Sequence, residues 1–436
     1  MLKRKKRKIE TPGDIKALIS QIVTQTARHA FARALAFEEG VIPDLGACDE
    51  TLPRLLYLHI PFCEELCPYC SFHRIRFDET LARRYFAALR DEIRLYKDRG
   101  YRFSGIYAGG GTPTILIDEL AELLALARSE FDIQSISVET NPNHLTARHV
   151  DVLRRAGVNR LSVGVQTFND DLLKVIARYD KYGSGAEIAA RLAETLGSFD
   201  TLNADMIFNF PGQTPEMLEA DLATLLKIGI DQMTFYPLMV STLTQQLMKE
   251  TLGEIDFGRE KSLFKLILRR LEKDYDASSA WCFSRKKKSD AMIDEYVVDY
   301  EEYAGLGSGA IGFINGVCYA NTFELERYIT EVSQGNLPLV AARKFGLPDR
   351  IRYDFLMKFF STRLNVDDLE KKYDGRFLKT LWKEMIAFTL AGSFRYFSPE
   401  YRLTETGRYL WVIMMREFFV AVNNFRDYCR KQAGLS

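Results

Sequence analysis

The stretch SGIYAGGGTPTILIDELAELLALARSEFDIQSISVET, residues 104–140, contains the repeating unit on which the fold is built. It begins with a short apolar run (104–110), passes through a glycine-rich turn, and continues with Leu, Ala and Ile at three- and four-residue spacing. That spacing predicts an amphipathic helix, and the apolar run that follows (135–140) predicts a second strand. A strand, a helix and a second strand in this order favour a parallel pair joined by a right-handed crossover.

The same rhythm extends in both directions along the chain. Further strand-like runs occur at residues 55–60, 160–168, 201–208 and 232–240, with amphipathic helical segments between them. Six consecutive strand-then-helix units predict an α/β fold with a parallel sheet, either a barrel or an open doubly wound sheet.

The pattern changes after about residue 255. Asn315 and Gly316, between two apolar runs, predict a tight hairpin turn. Further on, short helical segments, a small β-hairpin and an aromatic-rich terminal helix predict a small, mainly helical C-terminal domain of winged-helix type, acting as a substrate lid. The expected divisions are an N-terminal extension (1–50), a main domain (51–325) and the C-terminal substrate-lid domain (345–436).

The composition restricts the class of protein. The 436 residues are 47% hydrophobic and 27% charged, with zero net charge, which favours a folded core and argues against a body built for nucleic acid or an anionic membrane. No apolar run reaches the roughly 18 residues of a membrane span. With seven cysteines and no disulfide-scaffold pattern, we expect a soluble protein of a reducing, cytoplasmic compartment. Four of the cysteines are expected to be ordinary buried thiols: Cys48, Cys282, Cys318 and Cys429.

The other three cysteines crowd into the stretch HIPFCEELCPYCSFHR, residues 59–74, as Cys63, Cys67 and Cys70. Cysteine thiolates bind zinc or iron–sulfur clusters, and the spacing of these three cysteines leaves both alternatives open. In a zinc site, His59 or His73 would supply a fourth ligand. The alternative is a [4Fe–4S] cluster held at three irons, with the fourth iron open to a small molecule.

The segment YLHIPFCEELCPYCSF, residues 57–72, resembles the cluster loop of the radical S-adenosylmethionine superfamily. More narrowly, it is similar to the family of oxygen-independent coproporphyrinogen III oxidases, which includes a haem chaperone and the class C radical methyltransferases. The resemblance implies a partial (β/α)6 TIM-type barrel and a [4Fe–4S] cluster on Cys63, Cys67 and Cys70. It also implies one or two molecules of S-adenosylmethionine, with the methionine amine and carboxylate on the open iron.

The resemblance extends to a set of cofactor-binding residues, most of them at the carboxyl ends of successive strands, where barrel enzymes place ligand contacts. They include the glycine-rich segment GGGTPT (109–114) and the carboxylate in SVETNP (137–142). The residues expected to contact S-adenosylmethionine or surround it are Tyr57, Gly110, Gly111, Thr112, Glu139, Gln166, Arg178, Asp205 and Phe235.

The function implied is generation of a 5′-deoxyadenosyl radical that acts on a tetrapyrrole, by oxidative decarboxylation as in the oxidase. The alternatives are a class C radical methyltransferase acting on haem or another aromatic substrate, and a haem-binding chaperone. Both enzyme alternatives need a reducing electron donor of flavodoxin or ferredoxin type.

This chain departs from the oxidase pattern at several positions. Phe72 stands where the oxidase carries a further cysteine, Asn209 where a glycine is usual, Asp180 where a histidine is expected, and Ile311-Gly312 where another histidine occurs. These departures concern the substrate more than the S-adenosylmethionine chemistry. The segment SAWCFSRKKK, with Trp281, Phe283 and Arg285, is interpreted either as a macrocycle contact or as a buried barrel strand with a charged exit.

Overall fold

The computed structural model describes residues 52–286 and 299–434, together with residues 22, 25, 26, 29, 38, 39, 45 and 46. Apart from those eight positions, the expected N-terminal extension lies outside the described residues, as does Cys48. No helix in the described part of the chain is long and apolar enough to cross a membrane.

The central feature is a sheet of thirteen described strands, in the order β1-β15-β14-β13-β12-β2-β5-β6-β7-β8-β9-β11-β10. Neighbouring strands from β12 through β9 are parallel, and those at both ends are antiparallel. The strands are β1 (Glu38–Glu39), β2 (Arg54–Ile60), β3 (Phe62–Cys63), β4 (Ile75–Arg76), β5 (Gly105–Gly110), β6 (Ser135–Thr140), β7 (Arg160–Gln166), β8 (Thr201–Phe208), β9 (Gln232–Pro237), β10 (Tyr275–Ala277), β11 (Cys282–Arg285), β12 (Glu302–Leu306), β13 (Ile311–Ile314), β14 (Val317–Asn321), β15 (Leu339–Lys344), β16 (Arg363–Asn365), β17 (Phe394–Phe397) and β18 (Glu400–Leu403).

Helices connect the parallel strands and form most of the C-terminal region. They are Glu79–Asp98, Ile117–Glu130, Ala147–Arg155, Asp170–Val175, Tyr179–Tyr182, Gly185–Thr195, Pro215–Ile228, Thr242–Thr251, Phe257–Leu271, Leu325–Ser333, Leu347–Phe360, Val366–Lys372, Phe377–Leu390 and Glu405–Gln432. The prediction of an α/β fold is confirmed: the structure is a partial TIM-type barrel with a mainly helical C-terminal part. The six strands β2, β5, β6, β7, β8 and β9 are consecutive in the sheet, as the six sequence units predicted.

The hairpin predicted at Asn315-Gly316 joins β13 to β14, and both residues have positive φ, +52° and +73°. This is the backbone that a tight turn of this kind requires, and Asn-Gly adopts it at low cost. Among the isolated cysteines, Cys282 and Cys318 are buried as expected, whereas Cys429 is half-buried.

The described part of the SAWCFSRKKK segment, residues 279–286, forms β11 and its flanks, and β11 is a largely buried strand. Trp281 and Phe283 lie in the hydrophobic core, and the Trp281 ring packs on Phe360 at 4.8 Å between centroids. Arg285 is exposed and donates to the carbonyl of Gly229. The structure therefore excludes these three residues from direct contact with a ligand in the cavity described below.

The C-terminal part packs around aromatic side chains. The indole of Trp411 lies within 4.8–5.5 Å of the rings of Phe355, Phe359 and Phe388, between centroids. A three-stranded sheet, β16-β18-β17, flanks this core. The long helix Glu405–Gln432 begins in this core and continues to the mouth of the barrel, where it meets the ends of the parallel strands.

Candidate active site

A cavity of about 290 Å³ lies at the carboxyl ends of the parallel strands. Its walls come from the loop after β2, from the ends of β5 to β9, and from the helix Glu405–Gln432. Parallel strands end at one edge of the sheet, so side chains far apart in sequence converge there. The predicted site residues that line this cavity are Tyr57, Cys63, Cys67, Cys70, Gly110, Gly111, Glu139, Gln166, Arg178 and Asp205.

The three cysteines lie on one loop that is held in shape by Arg74. Its guanidinium donates to the carbonyl of Cys67 at 2.6 Å and to that of Cys70 at 2.8 and 3.3 Å. All three cysteines are free thiols, and burial together with the neighbouring Cys70 raises the pKa of Cys63 to about 11.

Two donors reach the cysteine sulfurs from the barrel. The hydroxyl of Thr112 donates to the Sγ of Cys63 at 3.8 Å and accepts from Asn141 at 2.8 Å. Thr112 is thus placed behind the cysteine loop. A guanidinium nitrogen of Arg178 donates to the Sγ of Cys67 at 3.7 Å. Hydrogen bonds to sulfur are one means by which a protein sets the potential of an iron–sulfur cluster.

The glycine-rich turn after β5 allows the barrel to approach the cysteine loop closely. Gly110 has φ +116°, and a Cβ at Gly111 would lie 2.7 Å from the carbonyl oxygen of Phe62. Next to this turn, the carboxylate of Glu139 accepts from the Tyr107 hydroxyl at 2.9 Å and from the Gly110 amide at 3.1 Å. The turn therefore presents backbone groups and a fixed carboxylate to the cavity.

Gln166 and Asp205 stand on neighbouring strands. The β7–β8 register shifts between Gly164 and Gln166, and Gln166 has φ +72°, which is unusual for a residue with a side chain. Such bulges occur next to active sites because they redirect a side chain. The carboxylate of Asp205 accepts from Ser162 and Asn203, both at 2.7 Å, and is held in one orientation.

Phe235 does not reach the cavity. Its side chain is fully buried in the main core and packs on Phe283, because successive residues of β9 point to opposite faces of the sheet. The next residue, Tyr236, lines the cavity instead.

The two histidines considered as zinc ligands point away from the cavity. His59 is hydrogen-bonded through both ring nitrogens, to the Tyr57 hydroxyl and to the carbonyl of His73, each at 2.9 Å. Burial lowers the pKa of His59 to about 4 and that of His73 well below its usual range. These contacts leave the three thiols open toward the cavity, a donor set that fits a cluster with one iron free for a small molecule.

An aromatic wall lines the same cavity as the cysteine loop. We use this name for Tyr236, Tyr303, Phe313, Phe345, Phe418 and Phe419. Ile311 and Cys318 lie among these rings, and burial raises the pKa of the Cys318 thiol to about 12. Ile311 occupies the position of the family histidine, so this part of the cavity is more apolar than the family pattern predicts.

Sequence reasoning missed Arg74, Asn141 and Arg426, all of which line the cavity. Arg74 and Asn141 adjoin predicted motifs, the cysteine loop and the end of β6, so their positions were a usable signal. Arg426 follows the cysteine loop by more than 350 residues, and no local pattern marks it.

The departure at Asn209 has a local explanation. Its φ is +70°, the left-handed region that glycine usually occupies and that asparagine tolerates best among residues with side chains. Its side chain accepts from Arg259 at 3.0 Å and donates to the carbonyl of Asp256 at 3.1 Å. The exchange of glycine for asparagine keeps the turn.

Comparison with known proteins agrees with this geometry. Residues 57–225 match the model of the Radical SAM superfamily. The heme chaperone HemW of Bacillus subtilis (strain 168) is 31% identical over 344 residues, 74% of this chain and 87% of that protein. The anaerobilin synthase of Escherichia coli O157:H7 is 30% identical over 66% of this chain and 67% of its own.

Two further relatives carry the oxidase name. The oxygen-independent coproporphyrinogen III oxidase of Helicobacter pylori (strain ATCC 700392 / 26695) is 27% identical over 84% of this chain and 86% of its own. The solved structure of coproporphyrinogen III oxidase (HemN) from Escherichia coli matches with a TM-score of 0.74 at 23% identity, covering 88% of this chain and 95% of that one, which shows the shared fold. Since the superfamily uses a [4Fe–4S] cluster and S-adenosylmethionine, these are the cofactors of this site. The chain belongs to the radical S-adenosylmethionine superfamily, in the family of the oxygen-independent coproporphyrinogen III oxidases and the heme chaperone HemW.

Proposed function

We propose that this protein is a radical S-adenosylmethionine enzyme that acts on a tetrapyrrole. The observation that carries this proposal is the lining of the cavity, which combines the cysteine loop with the aromatic wall. When bound, the cluster and S-adenosylmethionine supply a 5′-deoxyadenosyl radical that removes a hydrogen atom from the substrate. Since that radical reacts only with atoms in van der Waals contact, the wall that holds the substrate determines the product.

The roles that we propose for the individual residues follow from where each residue lies in the cavity. Cys63, Cys67 and Cys70 hold the cluster, with Thr112 and Arg178 donating to two of the sulfurs. The remaining predicted contacts, from Tyr57, Gly110, Gly111, Glu139, Gln166 and Asp205, surround S-adenosylmethionine. The aromatic wall then offers flat apolar faces for stacking a macrocycle and excludes water from the reacting atoms.

Oxidative decarboxylation of a propionate side chain is the first candidate reaction. The relatives named as oxygen-independent coproporphyrinogen III oxidases support it, since two of those compared above cover more than four-fifths of this chain. The second candidate is radical methylation of a haem-type macrocycle. It is favoured by Phe72, an aromatic ring at the cavity where the oxidase has a cysteine, and by the apolar Ile311.

Product analysis under anaerobic conditions separates these reactions. The reconstituted protein is reduced with dithionite and incubated with S-adenosylmethionine and either coproporphyrinogen III or haem, followed by mass spectrometry. Loss of two carboxyl groups with 5′-deoxyadenosine supports decarboxylation. Gain of one methylene-sized increment with S-adenosylhomocysteine supports methylation. Substrate binding without any nucleoside product would instead identify a haem-carrying protein and contradict the enzyme proposal.

Cys67→Ala is the matching site variant, with Cys429→Ala as the control outside the cavity. We expect Cys67→Ala to lose the cluster and to form no 5′-deoxyadenosine above background, because two thiolates cannot hold three irons. Cys429→Ala should behave as the parent protein. Undiminished 5′-deoxyadenosine formation by Cys67→Ala would refute the assignment of the cluster ligands.

A further inference from the structure

Arg426 presents an unpaired guanidinium to the cavity. It lies on the helix Glu405–Gln432 with 8% of its surface exposed, and it lines the cavity. One terminal nitrogen donates to the Oδ1 of Asn423 at 2.8 Å, and the guanidinium stands 4.8 Å from the centre of the Phe72 ring. Its Nε is buried without a hydrogen-bond partner among the described residues.

No carboxylate neutralises this charge within the described part of the chain, since Arg426 forms no ion pair there. The carboxylates that line the cavity are engaged elsewhere: Glu139 by Tyr107 and Gly110, Asp205 by Ser162 and Asn203, and Glu65 by Arg76. A buried guanidinium without a counter-ion is stabilised when an anion pairs with it.

The other two cavity arginines already serve the protein. Arg74 donates to the cysteine loop, and Arg178 donates to the Sγ of Cys67 and the carbonyl of Gly164. Among the described residues, Arg426 differs from both in that it makes no hydrogen bond to the cysteine loop; its partners are the Asn423 amide oxygen and the Phe72 ring. The Phe72 ring packs against the face of the guanidinium and orients it. The N–H groups that do not donate to Asn423 stay available to a ligand.

We infer that Arg426 binds a carboxylate of the molecule held against the aromatic wall, an inference that rests on the proposed function. A guanidinium pairs with a carboxylate through two parallel hydrogen bonds, which orients the ligand as well as binding it. Two ligands of this site carry such a group: a tetrapyrrole with propionate side chains, and the aminocarboxylate end of S-adenosylmethionine. In either case the carboxylate is held beside the cysteine loop, over Phe72.

To test whether the bound carboxylate is a propionate, the reconstituted protein is titrated with iron protoporphyrin IX and with its dimethyl ester. The parent protein should bind the diacid about 10- to 100-fold more tightly than the diester, the range expected for a charge-assisted pair. Arg426→Gln should bind both alike, and Arg426→Lys should keep part of the preference because it retains the charge. Arg430→Gln, one turn further along the same helix and outside the cavity lining, should match the parent.

To test whether the bound carboxylate belongs to S-adenosylmethionine, binding of this cofactor to the same reconstituted proteins is measured by equilibrium dialysis. Weaker S-adenosylmethionine binding by Arg426→Gln, with the diacid preference intact, would support the inference and assign the carboxylate to that cofactor. Equal affinity of the parent for diacid and diester, together with unchanged S-adenosylmethionine binding in the variant, would overturn the inference. A parent protein that binds neither haem compound contradicts a haem-type substrate; the coproporphyrinogen III product assay then decides the proposed function, and the dialysis result decides the role of Arg426.

Thermal unfolding without ligand distinguishes binding from a structural role. Because Arg426→Gln removes an unpaired buried charge, its ligand-free melting temperature should equal or exceed that of the parent. The stabilisation that the diacid or S-adenosylmethionine adds should shrink in the variant. A lower ligand-free melting temperature in both Arg426→Gln and Arg426→Lys, with loss of both ligands, would show that Arg426 holds the fold and would overturn the inference.

Discussion

The shape of the cysteine loop depends on one side chain, that of Arg74. Its guanidinium reaches two carbonyls of the segment that carries the ligands, those of Cys67 and Cys70. Hydrogen bonds from a charged donor contribute about 1.5–3 kcal/mol each, more than most contacts in a short loop. The loop between Cys63 and Arg74 has little regular structure of its own, so these bonds take the place of a strand or helix in fixing the spacing of the thiols.

We predict that Arg74→Ala lowers the iron content and the visible absorbance of the reconstituted protein by more than half. The two carbonyls lose their donor, and the thiols are no longer preorganised for the cluster. The control is Arg76→Ala two residues away, whose side chain is exposed and pairs with exposed Glu65. Equal iron content in both variants would show that the loop holds its shape without Arg74.

The contrast between Phe235 and Tyr236 shows where prediction from sequence ends at this scale. Both residues lie in a strand that is largely buried, and strands of a parallel sheet lack the polar–apolar alternation that marks an inward face. The aromatic character of Phe235 was visible in the sequence, but its direction was not. For Glu139 and the cysteines, which belong to recognisable motifs, the motif itself indicated that the side chain faces the site.

At the scale of elements, the helix Glu79–Asp98 is tied to the neighbouring β12–β14 region by a buried carboxylate. Glu92 accepts from the Tyr328 hydroxyl at 2.6 Å, from the Gly307 amide at 2.8 Å and from Asn321 at 3.0 Å. These partners follow β12, end β14 and belong to the helix Leu325–Ser333. Burial raises the pKa of Glu92 to about 7 in spite of these donors.

We predict that the contribution of Glu92 to the stability of the protein falls as the pH rises from about 4.5 to about 7. In that window the folded protein holds a proton on Glu92 that the unfolded chain, with a glutamate pKa near 4.3, has released. Each pKa unit of difference corresponds to about 1.4 kcal/mol. Buried Asp221, with its pKa raised to about 7 by burial, contributes in the same direction.

Melting temperatures measured across this pH range check the prediction. Glu92→Gln cannot titrate at this position, so the melting temperature of the parent relative to this variant should fall as the pH rises through the window. Glu326→Gln is the control, since Glu326 is exposed and pairs with Arg84 of the same helix. Parallel curves for the parent and Glu92→Gln would show that Glu92 ionises in the folded protein as it does in the unfolded chain.

The elements themselves were largely predictable, because each strand and helix of the barrel has a local apolar pattern. The strand at 160–168 was predicted two residues too long, and the structure ends it at Gln166, where the bulge and positive φ break the ladder. The strand at 232–240 likewise ends at Pro237, whose lack of an amide proton stops the pairing. Both strand ends lie at the cavity. Strained backbone is common at functional sites, and here it accompanies the end of the strand pairing.

At the scale of the whole molecule, the helix Glu405–Gln432 joins the C-terminal part to the barrel. Arg416 forms a buried ion pair with Glu260 of the helix Phe257–Leu271, and the Tyr409 hydroxyl donates to the same carboxylate at 3.2 Å. Further along, the Asn424 side chain accepts from the Thr242 amide at 2.8 Å. The aromatic wall therefore depends on contacts made well away from the cavity.

We predict that Glu260→Ala destabilises the protein by about 3–5 kcal/mol, because it leaves Arg416 buried with only Glu417 as a counter-ion. Denaturant unfolding followed by tryptophan fluorescence should show Trp411 and its surroundings unfolding before the barrel. The matched control is Glu405→Ala, which removes an exposed pair with Lys265 between the same two helices and should cost less than about 1 kcal/mol. Similar losses in both variants would contradict the prediction.

What the sequence could not predict at this scale is which distant segments meet. The barrel rhythm indicated where the ends of the strands converge, because that convergence is a property of the fold class. The placement of Arg426 over Phe72 depends instead on how one helix docks against the barrel, and docking is decided by tertiary contacts with no period along the chain. The hairpin at Asn315-Gly316 was predictable for the opposite reason, since its signal lies within two residues.

The distance in sequence between the two sides of the cavity has a consequence for biosynthesis. The cysteine loop is complete by residue 74, the six strands from β2 to β9 that form the barrel units by residue 237, and the covering helix ends only at residue 432. A chain that leaves the ribosome from its amino terminus therefore presents an open cluster-binding edge well before the residues that cover it exist. An iron–sulfur cluster delivered during that interval would reach the cysteine loop before the covering helix has been synthesised.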